Sequence, residues 1–318
     1  MTITLSSVRL AAAMSLAGIS SLAIAASATS CLDATSKSDD TAVQTYTVAA
    51  SDGVCLRAFA WQPAKTPVRG VVVITHGIRD YALRYDAFAK QLTAQGYAVY
   101  AQDLRGHAHS GGQRQRFDSM AQLVADTDLV VETAKRAYPN APVFAFGHSL
   151  GGLVTTQYAL AHGDKLKGVV LSGAALQRPK SVGDFAAGAA KLVGTVAGGL
   201  KIVKVDDSEF SRDPVVMAQL ATDPLVSHDN LPAATAASSI KGMAEVQARA
   251  AELRMPFLVM YGIDDKVNPT EGSDIFMRGI SSSDKSLKTY AKVYHDMLHE
   301  PERDQIAADV IAWLNARS

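Results

Sequence analysis

The chain is poor in cysteine, in aromatic residues and in net charge. Its 318 residues hold only two cysteines, so a disulfide-built scaffold is excluded. Lys and Arg together number 31, as do Asp and Glu, and the resulting zero net charge leaves no basic footprint for nucleic acid. Charged residues form 19% and hydrophobic ones 48%, the balance of a globular chain rather than a disordered one. No internal repeat is visible. Length alone fits one large domain or two small ones.

A long membrane-spanning run is also missing. After MTITLSSVRL, whose only charge is Arg9, comes AAAMSLAGISSLAIAA, small and apolar. Ser15, Ser20 and Ser21 interrupt it, and it falls short of the about 20 apolar residues that a bilayer requires. A positive start, a short apolar run and a small-residue exit predict a secretory signal over residues 1–31. Two exits are open. Signal peptidase could cut after Ala26-Ser27-Ala28. Alternatively, Ala28-Thr29-Ser30-Cys31 resembles a bacterial lipoprotein box, with Ala28 where Leu is usual, and Cys31 becomes a lipidated membrane tether. The polar stretch 32–42 reads as a flexible tether and favours the second exit. Cys55 then has no partner and reads as a buried strand residue. A Cys31–Cys55 disulfide is conceivable in an oxidising compartment but has little support in the sequence.

From residue 43 to the end, short apolar runs alternate with longer helical segments. The runs are GVVVITHG (70–77), YAVYAQD (97–103), PVFAFGHS (142–149), GVVLSG (168–173), PFLVMYG (256–262) and the more mixed LKTYAKVY (287–294). Near-continuous apolar runs suit strands covered on both faces. Their alternation with helices predicts an α/β fold, a mostly parallel sheet flanked by helices. Residues 43–62 read as a hairpin turning at Ser51-Asp52-Gly53. Residues of about 177–235 contain no clear sheet strand and read as a helical cap inserted into the α/β domain 43–318. Its apolar positions Phe185, Leu192, Val193, Val196, Leu200 and Val203 either line a substrate channel or pack on the sheet domain.

The strongest chemical signal is Gly147-His148-Ser149-Leu150-Gly151, a G-x-S-x-G between the strand PVFAF and a helix. That context predicts a tight elbow that exposes the Ser149 hydroxyl, with glycines where a Cβ would crowd the backbone. A serine hydroxyl needs a base, and the base needs an acid to orient it. Asp265, on the loop after PFLVMYG, is preferred over Asp264, although spacing does not separate them; the other would cap the next helix. His295, just past LKTYAKVY, is preferred over His299, which reads as the start of the terminal helix. Strand carboxyl ends are where α/β sheets build their sites. The backbone amides of Ile78 and Leu150 are the candidate oxyanion donors. His76 reads as a structural ring beside that loop. His107 and His109 near Asp103 are too few for a metal site, so no metal and no cofactor is expected.

Taken together, HG-x(6)-RY at 76–85, DLRGHAHSGG at 103–112, GHSLGG at 147–152, SRDP at 211–214, DPL at 223–225, G-x-D-D-x-V at 262–267 and YHDMLHEPERD at 294–304 resemble the monoacylglycerol lipase and lysophospholipase branch of the α/β-hydrolase superfamily. The resemblance spans roughly residues 43–316. It implies a triad of Ser149, Asp265 and His295, a cap after residue 176 and a lipid ester as substrate. Ala108 departs from the pattern, which reads Gly-His-Gly there. Rival readings are an aminopeptidase or amidase using the same triad, and a catalytically inactive binding module on this fold.

Overall fold

Alternate residues of a strand face opposite ways, so a run that is apolar throughout must be covered on both sides. The computed structural model describes residues 31, 36–37, 43–64, 67–179, 193–194 and 197–318. The expected signal, except Cys31, and most of the tether lie outside the described residues, as do the cap positions Phe185, Leu192 and Val196.

The apolar runs become one nine-stranded sheet, in the order β1-β2-β3-β5-β4-β6-β7-β10-β11. Its strands are β1 (Ser36–Lys37), β2 (Val43–Ala49), β3 (Cys55–Trp61), β4 (Gly70–Thr75), β5 (Tyr97–Gln102), β6 (Val143–His148), β7 (Gly168–Ser172), β10 (Phe257–Gly262) and β11 (Lys285–Tyr290). From β5 to β11 all neighbours are parallel; β1, β2 and β3 join antiparallel at one side. The β2–β3 pair is the expected hairpin, turning at residues 51–53.

Seven helices are seen among the described residues: α1 (Asp86–Ala94), α2 (Met120–Ala137), α3 (Leu150–His162), α4 (Pro214–Thr222), α5 (Ala233–Arg249), α6 (Thr270–Gly279) and α7 (Arg303–Asn315). Along β4 the side chains divide. Val71 and Val73 enter a core completed by α2, α3, α5 and α6. Val72 and Ile74 enter a second core completed by α1 and α7. The helices start where the sequence caps them. Ser119 and Gln122 form a reciprocal box at α2. Asp213 accepts from Val215 and Val216 at α4, with Pro214 in the first turn.

Four expectations need correction. The last strand, β11, ends at Tyr290 rather than at residue 294, so His295 lies on a loop beyond it. The cap region does contain strands: β8 (Lys201–Val203) and β9 (Leu231–Pro232) pair antiparallel outside the main sheet, too short for any alternation to show. Among the apolar cap positions, Leu200 is 54% exposed rather than packed on the sheet domain. Finally, Cys55 is not unpaired. It is disulfide-bonded to Cys31.

Candidate active site

The site begins at the bend between β6 and α3. Ser149 has φ +53 and ψ −121, left-handed backbone that a residue with a Cβ rarely adopts. Its neighbours must be bare. A Cβ on Gly147 would strike the Gly151 carbonyl, and one on Gly151 would strike the carbonyl of Thr75. The bend is fixed by hydrogen bonds from Ser149 N to Ser172 O at 3.0 Å and from Ala175 N to Ser149 O at 3.0 Å. Leu150 is the first residue of α3, so its amide has no helical acceptor and points with the positive end of the helix dipole.

Two distant loops bring their side chains to this hydroxyl. His295 Nε2 lies 2.8 Å from Ser149 Oγ, and His295 Nδ1 lies 2.9 Å from Asp265 Oδ2. The three groups are 146 and 30 residues apart in sequence. Asp265 Oδ1 accepts from Val267 N at 2.8 Å and Asn268 N at 3.0 Å, which fixes the carboxylate. Asp264 stays exposed on the same loop and does not cap α6, whose capping position is Pro269. Burial opposes protonation of His295, but the Asp265 carboxylate outweighs it and holds the imidazole above its ordinary value. Burial likewise raises Asp265, and the His295 ring together with the two amides brings it below the usual carboxylate range.

The loop after β4 closes the other side. A Cβ on Gly77 would come within 3.0 Å of Ser149 Cβ, so the loop runs against the serine, with Ile78 the next residue along it. His76 has the structural place expected for it: Nε2 accepts from Leu104 N at 2.8 Å, and Nδ1 faces Gly77 O at 2.7 Å. His107 Nδ1 faces Arg105 O, and burial lowers this ring to about 3. His109 turns to Asp103. Among the described residues no group of three or more His, Cys, Asp or Glu is arranged to hold a metal ion.

Behind the imidazole lies a buried ionic network that sequence reasoning missed. Arg84 donates to Asp80 at 2.9 Å and to Asp296 at 2.8 Å. His299 does not start α7; it sits in a 3₁₀ turn, with Nδ1 2.7 Å from Asp296 Oδ1 and Nε2 3.0 Å from Arg84 O. Tyr85 donates to Asp80. The hints in the sequence were the Arg84-Tyr85 pair of HG-x(6)-RY and the Asp296 and His299 of YHDMLHEPERD, which the sequence did not join. Beside it, His148 is lowered to about 4 by burial and by His295, so that it is neutral beside the His295 ring at neutral pH. The segment expected to form the cap reaches in as well. The Phe210 ring lies 5.8 Å from the His295 ring, and Phe210 O accepts from Asp296 N at 2.8 Å. Arg212 holds Glu300, which is fully buried, through Nε at 2.7 Å and through its amide at 2.6 Å.

A serine on a strained strand–helix turn, with an imidazole and a carboxylate in line, defines a serine hydrolase of the α/β-hydrolase fold. Comparison with known proteins narrows the class. The family profile described as "Serine aminopeptidase, S33" matches residues 66–302. The monoacylglycerol lipase of Mycolicibacterium smegmatis is 35% identical over 85% of this chain and 96% of its own length. The monoglyceride lipase of Mus musculus is 30% identical over 84% of this chain and 89% of its own. The crystal structure of Paleococcus ferrophilus monoacylglycerol lipase superposes with a TM-score of 0.76 at 29% identity, covering 83% of this chain and 99% of that one. The chain belongs to the monoacylglycerol lipase branch of the α/β-hydrolase superfamily and is a serine ester hydrolase.

Proposed function

We propose that the protein cleaves monoacylglycerol- or lysophospholipid-like esters through an acyl-enzyme on Ser149. The observation that carries this reading is the unbroken line of hydrogen bonds from Ser149 Oγ through His295 to Asp265. His295 Nε2 takes the Oγ proton as Oγ attacks the ester carbonyl. The oxyanion forms between the amides of Ile78 and Leu150. Collapse breaks the bond to the alcohol, which leaves with the proton from Nε2. Water then attacks the acyl group and gives its proton to the same nitrogen; collapse breaks the bond to Oγ, which takes that proton back as the fatty acid leaves. Asp265 holds the tautomer with the proton on Nδ1 and stabilises the imidazolium. No step calls for a cofactor.

The lipid preference is supported by the lipase names of the relatives. A second reading, amide cleavage, is favoured by the aminopeptidase name of the family profile. Turnover of monooleoylglycerol against an amino-acyl p-nitroanilide separates them, and the ester is expected to be the faster substrate. Ser149→Ala is expected to lower kcat on the order of 10⁶-fold; equal turnover and equal fluorophosphonate labelling by that variant remove the nucleophile assignment.

The reading extends to location. We propose that the chain is exported through its leader, a reading supported by the Cys31–Cys55 pair, since such bonds persist in oxidising compartments. One sulfur cannot be both a disulfide and a lipid thioether. The pair therefore favours cleavage ahead of Cys31, such as after Ala28, over the lipoprotein tether. Palmitate incorporation that disappears in Cys31→Ser would reverse that choice.

A further inference from the structure

The loop after β4 carries more than an amide. Arg79 directly follows Ile78, and its backbone has φ +57, a conformation that disfavours any residue but glycine. Its side chain is buried at 2% exposure and is gripped by the cap. Nη1 donates to Val205 O at 3.1 Å and to the Asp207 carboxylate; Nη2 donates to Asp229 O at 2.8 Å and to His228 O at 3.3 Å. These acceptors come from two separate stretches, 205–207 before α4 and 228–229 after it. His228 Nδ1 holds the other Asp207 oxygen at 2.6 Å, so the two stretches are joined around the guanidinium. Tyr81, on the same loop, donates to Asp223 at 2.6 Å.

We propose that Arg79 is a positioning residue for the oxyanion loop, holding the Ile78 amide in register with Ser149 by anchoring that loop to the docked cap. Strained backbone persists only where its surroundings over-determine it, and four acceptors on one planar fork supply that constraint. Most of those acceptors belong to cap backbone, so the cap cannot shift without pulling on the residue next to the oxyanion donor. Cap docking and oxyanion geometry are thereby one event. This inference rests on the reading that Ser149 is acylated with the Ile78 amide as donor.

The decisive variant is Arg79→Gly, which keeps the left-handed backbone accessible while deleting the grip. It is assayed beside wild type, Arg79→Lys, Asp207→Asn and Ser149→Ala on p-nitrophenyl acetate, a short ester, and on monooleoylglycerol. Arg79→Gly is expected to lower kcat on both esters by roughly 10- to 100-fold, with little change in KM for the short ester, and to slow fluorophosphonate labelling in the same ratio. Arg79→Lys recovers part of the loss, because an ammonium reaches Asp207 but cannot serve the other acceptors. Asp207→Asn shows a smaller loss of the same kind, and it carries the test if Arg79→Gly does not fold. A folded Arg79→Gly protein with wild-type kcat on the short ester overturns the proposal. So does a loss confined to monooleoylglycerol, which would make Arg79 a cap fastener only. Ser149→Ala retaining turnover would instead sink the underlying reading, so the two failures are distinguishable.

Discussion

Ala108 stands where the resemblance leads one to expect glycine, and its backbone has φ +37. A Cβ in left-handed backbone costs about 1–2 kcal/mol, while a glycine returns roughly 0.5–1 kcal/mol in unfolded-chain entropy. Ala108→Gly is therefore expected to stabilise the protein by about 0.5–1 kcal/mol, read as a higher urea midpoint at unchanged m-value; a lower midpoint contradicts it. A second prediction concerns His295, whose imidazole Asp265 holds above the ordinary value against the effect of burial. A general base works only when neutral, so kcat/KM should rise with pH through a midpoint above about 6.5. Asp265→Asn removes the raising charge. Its residual activity should fall by about 10⁴-fold, and the midpoint should move to lower pH. A midpoint that stays put would mean that another group titrates. At this scale the sequence was readable wherever chemistry sat in a local pattern. Ser149 sits inside a glycine-framed elbow, and Asp265 follows a strand end. The pairing of Arg84 with Asp80 and Asp296 was not readable: both motifs that hold Arg84 and Asp296 are visible, but the two residues lie 212 positions apart, and no local pattern says that they meet.

Elements buried on both faces were legible because their apolar runs are of strand length, rich in Val and aromatics and bounded by turn residues, which favours a covered strand over a buried helix. β4, β5, β6 and β7 are buried at every position. β11 is an edge strand, mostly exposed, and its mixed sequence misplaced its ends by several residues. The cap strands β8 and β9 are held by backbone pairing, and the stretches beside them by the carbonyls of Val205, His228 and Asp229 that converge on Arg79, not by a pattern of their own. A pairing between elements likewise underlies the loop that follows β5. Arg105 grips Asp126 of α2 through Nε at 2.6 Å and Nη2 at 2.8 Å, with Asp126 only 1% exposed. Asp52, at the tip of the β2–β3 hairpin, holds the same guanidinium at 2.7 Å. Asp126→Ala removes one side of a buried pair and should destabilise by about 3–5 kcal/mol, at the lower end because Asp52 still faces Arg105. Denaturant unfolding measures it. A loss below that of an exposed substitution would show that water or Asp52 fully replaces the carboxylate.

At the scale of the whole chain, the segment from Cys31 to Ser318 is one compact unit, and the disulfide ties its first residue to the start of β3. The cysteines are 24 residues apart. Closing a loop of that size restricts the unfolded chain by about 3 kcal/mol in the chain-entropy account. For a protein of this size each kcal/mol shifts the melting temperature by roughly 2–4 °C. The disulfide-bonded protein should therefore melt several degrees lower after reduction, and Cys31→Ser should melt at the reduced value whether or not reductant is present. Turnover on a short ester should not change, because neither sulfur touches Ser149, His295 or Asp265. The same preparation reports the fate of Cys31. A disulfide leaves no titratable thiol in the denatured protein, whereas acylation of Cys31 leaves one, on Cys55. A single thiol, together with recovery of the protein in the membrane fraction, would assign Cys31 to a lipid anchor instead of the disulfide.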